Sequence, residues 1–159
     1  MLVKGIADSI ILIRVLVGWV FLTEGILKFT RPDALGPGRF AKIGFPSPAA
    51  LANFVGSVEI ICGALIILGL FTRLASVPLL IDIIVAIAST KVPILLGHGF
   101  WLFADPTTKP FGVGTMLHEA RTDLSMLLGL VFLIVNGGGK WSLRTVQPAK
   151  QESRGDGAQ

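Results

Sequence analysis

The sequence predicts an all-α protein, a transmembrane four-helix bundle with an interfacial segment between helices 3 and 4. Composition is the first observation behind this prediction: 52% of the 159 residues are hydrophobic, 15% are charged, and the mean hydropathy is +0.76. Soluble domains average about 25% charged residues. Long stretches almost free of charge are the second observation, because they approach the length of a membrane-spanning helix. The composition excludes a disordered chain, and the length fits one domain.

We expect four membrane spans, at about residues 6–29, 48–70, 74–96 and 116–136. Glu59 is the only charged residue of the second span, and Asp82 is the only charge between Arg73 and Lys91 in the third. The fourth span ends in a stretch, residues 124–139, that carries no charge. The first span is less uniform, because four charged residues interrupt it: Asp8, Arg14, Glu24 and Lys28.

Capping residues and prolines indicate where the helices begin. Ser47 followed by Pro48 is typical of an N-cap with proline at the first helical position, and Thr115 is a candidate cap for the fourth helix. The stretch 94–103 is apolar but too short to cross a bilayer. We therefore expect it to be an interfacial or re-entrant segment, with Trp101 as its anchor.

Residues 1–143 are expected to form one membrane domain, and residues 144–159 a polar, disordered cytoplasmic tail. An even number of spans places both termini on the same side. The basic residues divide almost evenly between the two sides, so the count does not decide the orientation. Lys140 and Arg144 lie just outside the last span, where the positive-inside bias acts, and they favour cytoplasmic termini. Lys140 and Trp141 are also expected to form a belt at the membrane–water interface. The scattered basic residues indicate membrane phosphates as partners, not nucleic acid.

Each predicted span holds at least one carboxylate: Glu24, Glu59, Asp82 or Asp123. A charge at the bilayer centre costs about 2.5–3.5 kcal/mol, so such residues usually face the bundle interior and find partners. At about 1.5 Å per residue, Arg14, Glu59 and Asp82 lie at similar depths and are expected to share a lower layer near mid-membrane. An upper layer, nearer the opposite surface, is expected to contain Glu24, Lys28, His118, Arg121 and Asp123.

Two interpretations of the lower layer stay open. It is either a structural set in which Arg14 pairs with one acid, or a proton relay or headgroup site. In the second case Glu59 or Asp82 takes up a proton when a quinone is reduced nearby. Alternatively, the long side chain of Lys28 extends so that its ammonium group lies at the membrane–water interface. His118 lies near acids, yet the spacing typical of carboxylate–histidine metal sites is absent, so no metal site is predicted. Cys62 is the only cysteine, which excludes a dithiol–disulfide cycle within one chain.

Four strings of residues carry a family resemblance: GWVFLTEGILKF, FVGSVEIICGALIILGLFTRLA, HGFW and EARTDLSMLLGLVFLIVNGGGKWSL. Together they resemble the DoxX family. The resemblance implies a four-helix protein of the bacterial plasma membrane, related to the small membrane subunit DoxD of thiosulfate:quinone oxidoreductase and to subunits linked to thiol-redox homeostasis. The polar positions that it carries over are Lys28, Glu59, Arg73, His98, Arg121, Thr122 and Asp123. Glu24 and Asp82 are not among them, so their predicted role rests only on their estimated depth in the membrane.

The leading hypothesis is a quinone-associated membrane subunit of an oxidoreductase complex, with Glu59, Asp82 and Arg14 handling protons. The binding set around them comprises Glu24, Lys28, His98, His118, Arg121 and Asp123. A quinone is the expected cofactor, held without a covalent bond, and other membrane or soluble redox proteins are the expected partners. The alternatives are a non-catalytic anchor for soluble redox partners and a small proton-coupled transporter, with a homo-oligomer also open.

Overall fold

The computed structural model describes residues 2–139 and 142, with side chains from Ser9 onward. Within these residues every regular element is helical. The helices are α1 (Leu2–Thr30), α2 (Pro37–Ile43), α3 (Pro48–Leu68), α4 (Thr72–Ala86), a π-helical turn (Ile87–Lys91), α5 (Val92–Leu96) and α6 (Val113–Asn136). The expected belt at Lys140 and Trp141 and the tail 144–159 lie outside the described residues.

Three helical stretches of the described chain are long and apolar enough to cross a membrane: Ser9–Thr30, Pro48–Leu68 and Thr72–Leu96. The third is made of α4, the π-helical turn and α5 in succession. Helix α6 has 24 residues but carries Glu119, Arg121 and Asp123 in its first half. The structure therefore supports a membrane protein with several apolar helices, while the fourth crossing stays a prediction.

The long helices pack around a common apolar core. Helix α1 contacts α3 and α6, and α4 contacts the same two helices, so the contacts close a ring. Five apolar side chains in this core have no exposed surface: Val17, Ile66, Leu79, Leu130 and Leu133. Many other apolar side chains, such as Leu12, Leu74 and Leu128, are more than two thirds exposed. An apolar outer surface of this kind is what a helix presents to lipid.

Small residues bring α1 and α3 unusually close together. A Cβ added to Gly18 would lie 2.7 Å from the carbonyl oxygen of Gly63, and one added to Gly25 would lie 2.7 Å from that of Gly56. The two pairs show that the helices run antiparallel along this contact. Small residues are common at membrane helix interfaces because they let backbones approach. The backbone approach also fixes which side chains of α1 and α3 lie level with each other.

Two predicted helix caps differ from the structure. Helix α3 begins at Pro48 as expected, yet Ser47 lies at φ 50° and makes no capping hydrogen bond with its side chain. Helix α6 begins at Val113 after Gly112, so Thr115 lies inside it. Glycine and proline, not a side-chain oxygen, define both helix starts. A short sequence pattern does not distinguish these two ways of starting a helix.

The segment that follows the third apolar stretch is only partly helical. Helix α5 ends at Leu96, and residues 97–112 form turns and irregular loop. The π-helical turn ends two residues before Pro93, which has no N–H and disturbs the hydrogen bonding of the preceding turn. The Ala104 N–H donates to the carbonyl of Ile43 at 2.8 Å and ties the loop to α2. Trp101, the predicted anchor, is 83% exposed.

Arg14 binds backbone carbonyls near the C-terminal end of α3. Its Nε donates to the Ile66 carbonyl at 2.9 Å and its Nη2 to the Ile67 carbonyl at 2.7 Å. Its Nη1 donates to the Gly138 carbonyl at 3.0 Å, which lies just after α6. The last carbonyls of a helix have no partner in the helix and carry the negative end of its dipole. Arg14, which is 1% exposed, therefore joins the ends of α3 and α6.

The contact between α1 and α3 predicts that Gly25→Leu lowers the thermal midpoint of unfolding. The new side chain would overlap the Gly56 carbonyl and separate the helices, at a cost of about 1–3 kcal/mol or more. Gly114→Ala is the matched control, because a Cβ at Gly114 meets nothing within 4 Å. Scanning fluorimetry of purified protein checks both. Equal thermal midpoints for Gly25→Leu and the wild type would contradict the close contact.

We also expect Arg14→Met to lower the free energy of unfolding by at least about 2 kcal/mol, because buried carbonyls lose charged donors. Arg31→Met, at an exposed position after α1, should change it by no more than about 0.5 kcal/mol. Denaturant titration in detergent compares the two variants with the wild type. If they destabilise the protein equally, Arg14 does not join the helix ends as described.

Candidate functional site

A cavity of about 500 Å³ lies between the helices. It is lined by residues of α1, α2, α3, α4, the π-helical turn and α6, and its walls are mainly apolar. The ionisable residues that line it are Glu24, Lys28, Arg39, Glu59, Asp82 and Asp123. Pockets for small molecules are typically about 300–1,000 Å³, mostly apolar, with a few convergent polar groups. The cavity has the size and lining of such a pocket.

Lys28 and Glu59 form a buried ion pair in the wall of this cavity. The Lys28 Nζ lies 2.8 Å from Glu59 Oε1 and 2.6 Å from Oε2. The side chains are only 11% and 4% exposed. Gly25 positions the pair, because a Cβ at Gly25 would lie 3.0 Å from the Glu59 Cβ. Lys28 is one turn further along α1, where its long side chain reaches the carboxylate.

Asp82 joins this pair from α4. It lines the same cavity, and Glu59, Lys28 and Glu24 are all close enough to interact with it electrostatically. Two ionised carboxylates and one ammonium carry a net charge of −1. One added proton would make the set electrically neutral, because one of the two neighbouring carboxyl groups would then be uncharged. Lys28, Glu59 and Asp82 are called the charge cluster below.

The charge cluster differs from the expected lower layer in its cation. The structure brings Glu59 and Asp82 together, but Lys28 takes the place predicted for Arg14. Arg14 binds at Ile66 and Ile67, seven and eight residues beyond Glu59, or about 10–12 Å along α3. The expected depths of these residues were wrong because they were counted from the ends of the apolar stretches. The actual register follows from the backbone contacts between α1 and α3.

The expected upper layer is divided in the structure. Asp123 pairs with Lys91 at 3.4 Å, and both side chains are largely buried. Arg121 is exposed and donates from Nη1 to the carbonyl of His118, whose own side chain is exposed. Glu24 and Lys28 line the cavity with Asp123, whereas His118 and Arg121 do not.

His98 lies in the loop after α5, outside the cavity lining. Its Nδ1 lies 2.7 Å from the Gly99 carbonyl oxygen, and its side chain is exposed. No metal site was predicted. Among residues 9–139 and 142, no group of three or more His, Cys, Asp and Glu side chains has an arrangement that could hold a metal ion.

Lys91 is a site residue that the sequence analysis did not predict. Its pairing with Asp123 connects the π-helical turn to α6 beside the cavity. The signal available in the sequence was the run Ser89–Lys91, three polar residues that interrupt an otherwise apolar stretch. Ser89 and Thr90 also line the cavity, with hydroxyl groups that donate to the Ala86 carbonyl.

Comparisons with known proteins agree with a membrane assignment. The sequence model of the DoxX family matches residues 9–104. The chain is 56% identical over 135 residues to "Uncharacterized membrane protein Rv3486" of Mycobacterium tuberculosis, a match that covers 85% of this chain and 78% of that protein. It is 33% identical over 89 residues to "Putative oxidoreductase CatD" of Bacillus subtilis, covering 56% of this chain and 64% of that protein. No solved structure matches.

The buried ion pair predicts strong coupling between Lys28 and Glu59. Lys28→Met leaves the Glu59 carboxylate without its cation and should destabilise the protein by about 3–5 kcal/mol. Lys28→Met/Glu59→Gln removes both charges and should recover most of this loss. Lys109→Met, at an exposed position, is the control and should stay within about 0.5 kcal/mol of the wild type. Purely additive effects of the two substitutions in denaturant titrations would contradict the pairing.

Proposed function

Because this chain belongs to the DoxX family, we propose that it is an integral plasma-membrane subunit of a quinone- or thiol-linked oxidoreductase system. In this proposal the cavity binds a quinone, and the charge cluster handles the protons of its reduction. The similarity to a protein named as an oxidoreductase supports the reaction class. The single observation that carries the proposal is a charge cluster in the wall of a large, mainly apolar cavity.

The cavity suits a ligand with an apolar body and a few polar atoms. A quinone ring is planar and apolar apart from its two carbonyl oxygens, and the ring is small enough for a volume of about 500 Å³. The polar atoms of the charge cluster converge on one region of the wall, so they can orient such a ring. The apolar residues Phe21, Val58 and Ile83 line the remaining surface and exclude water.

Each member of the charge cluster has a role in this proposal. Reduction of a quinone to a quinol takes up two electrons and two protons. Lys28 already donates to both oxygens of Glu59, and its third N–H can donate to a carbonyl oxygen. Asp82 and Glu59 can hold a proton between them and release it while Lys28 balances the charge that is left. The pair holds one proton at a time, so the second proton of the reduction requires that the pair be protonated again. Glu24 is close enough to interact electrostatically with Asp82 and is the candidate donor of that proton.

The electrons come from a partner protein in this proposal. Cys62 is the only cysteine in the sequence, so one chain cannot cycle between dithiol and disulfide. A soluble or membrane-bound redox protein would deliver electrons to the bound ligand. The chain then contributes the ligand cavity and the proton-handling residues of a larger complex.

A lipid-soluble ligand would enter between α3 and α4. Phe54 of α3 and Ile81 and Val85 of α4 line the cavity, yet they are 67%, 59% and 40% exposed. This wall of the cavity is therefore accessible from the outer apolar surface. A side entrance of this kind gives access from the bilayer without passage through water.

The proposal includes four membrane crossings, with α6 as the fourth. Its 24 residues extend about 36 Å, enough for the apolar part of a bilayer. Its charged residues lie in its first half, where Lys91 balances Asp123. Four crossings place both termini on one side, and Lys140 and Arg144 favour the cytoplasm for that side.

The binding proposal predicts that Val58→Trp abolishes the binding of a short-chain quinone such as menadione. Val58 lines the cavity, and an indole at this position occupies the space of the ligand. Ile61→Trp is the matched control on the same helix, because Ile61 is 59% exposed on the outer surface and does not line the cavity. Isothermal titration of protein in lipid nanodiscs measures the binding of both variants.

The wild type and Ile61→Trp should bind menadione alike, and Val58→Trp should not bind it. Two results contradict the proposal: absence of binding to the wild type, which favours a non-catalytic anchor, and equal binding by Val58→Trp and Ile61→Trp, which indicates partition into lipid.

A further inference from the structure

A second, smaller cavity of about 280 Å³ adjoins the first. This polar cleft lies between α2, the π-helical turn, the loop around residues 104–108 and the first half of α6. We infer that it is the entrance by which water reaches the charge cluster. In the proposed function this water supplies protons, so that role rests on the quinone proposal, whereas the water path itself is independent of it.

The lining of the cleft suits water. Ionisable or hydroxyl-bearing residues make up more than half of it: Arg39, Lys42, Ser89, Thr90, Lys91, Asp105, Thr107, Thr108 and Glu119. Its charges balance, because Lys91 pairs with Asp123 and the two other basic residues are matched in number by two acidic ones. A balanced polar space favours neither an anion nor a cation. The volume of the cleft is far more than the about 10–15 Å³ that a single water needs.

The cleft and the larger cavity meet at the π-helical turn. Four residues line both spaces: Arg39, Ile43, Ser89 and Thr90. The ion pair of Lys91 and Asp123 lies at the same junction, because Lys91 lines the cleft and Asp123 lines the cavity. The hydroxyls of Ser89 and Thr90 donate to the Ala86 carbonyl, so their oxygens can still accept hydrogen bonds from water. Polar groups therefore continue from the cleft into the cavity.

The junction is a short distance from the charge cluster. Asp82 lies seven residues before Ser89 on the helical stretch Thr72–Leu96, which corresponds to about 10 Å. About three or four waters, each about 2.8 Å from the next, span this distance. On α6, Glu119 lines the cleft, and Asp123, one turn later, lines the cavity. A carboxylate can take a proton from one water and return it to the next, so both acids can take part in the path.

The larger cavity then has two entrances with different roles. A lipid-soluble ligand enters from the bilayer between α3 and α4, and water enters at the end of the bundle where α2 lies. This end is opposite to the one at which Arg14 binds, because α1 and α3 run antiparallel. The inference therefore places proton uptake on the α2 side of the membrane.

Silver-ion labelling of single cysteines tests the water path without a quinone. Ag⁺ is close in size to a water molecule and binds thiolates, so it blocks a thiol where water reaches it. In a Cys62→Ala background, Val58→Cys places a thiol in the cavity wall next to Glu59, and Ile61→Cys places one on the outer apolar surface. The protein is treated with Ag⁺ in lipid nanodiscs, and a maleimide added after denaturation measures the thiols that stayed free.

We expect Val58→Cys to react at least about tenfold faster than Ile61→Cys, because an ion and a thiolate are both unfavourable in hydrocarbon. Thr90→Trp fills the junction and should slow the reaction of Val58→Cys to the rate of Ile61→Cys. Ile84→Trp, at a position that is 50% exposed and lines neither space, is the matched control and should leave the rate unchanged. Ile43→Trp also narrows the junction and replaces Thr90→Trp if that variant does not fold.

Two results overturn the inference. Equal rates for Val58→Cys and Ile61→Cys show that water does not reach the charge cluster. A fast reaction of Val58→Cys that neither Thr90→Trp nor Ile43→Trp slows shows that water enters elsewhere. Because the labelling needs no quinone, absence of menadione binding contradicts the proposed function and leaves the water path standing.

Discussion

The burial of charge between apolar helices is the constraint on which the site depends. An ionised group in hydrocarbon is costly, so each such group needs a partner of opposite charge or a set of hydrogen bonds. Glu59, 4% exposed, meets this need through Lys28 and lies beside Asp82. Three separate helices thus contribute to one cluster. The same three side chains give the apolar cavity its polar region.

The close contact of α1 and α3 makes that cluster possible. Gly25 and Gly56 remove the side chains that would hold the helices apart, and Lys28 then reaches Glu59 across the interface. At the other end of the same contact, Arg14 binds the terminal carbonyls of α3. One helix interface therefore carries an ion pair near one end and a helix-end contact near the other. Packing and electrostatics select the same antiparallel register.

The sequence predicted the helical class, several apolar helices and the proximity of Glu59 and Asp82, because hydropathy and isolated charges are local properties. It did not predict that Lys28, and not Arg14, is the cation beside Glu59 and Asp82. Which residues meet depends on the register of the contact between α1 and α3. The pair Lys91–Asp123 was missed for a similar reason: it joins residues on separate elements beside a π-helical turn. Ser47 was wrongly predicted to cap α3, because a capping serine and a serine in a strained turn have the same sequence pattern.

We propose that the cavity containing Lys28, Glu59 and Asp82 takes up a quinone from the bilayer. Photolabelling of the reconstituted protein with a photoreactive short-chain quinone, followed by peptide mass spectrometry, tests it most directly. We expect labels on cavity-lining residues such as Phe54, Val58 and Ile83. Labels confined to outward-facing residues such as Leu12 and Leu74, or spread evenly over all apolar helices, would contradict it.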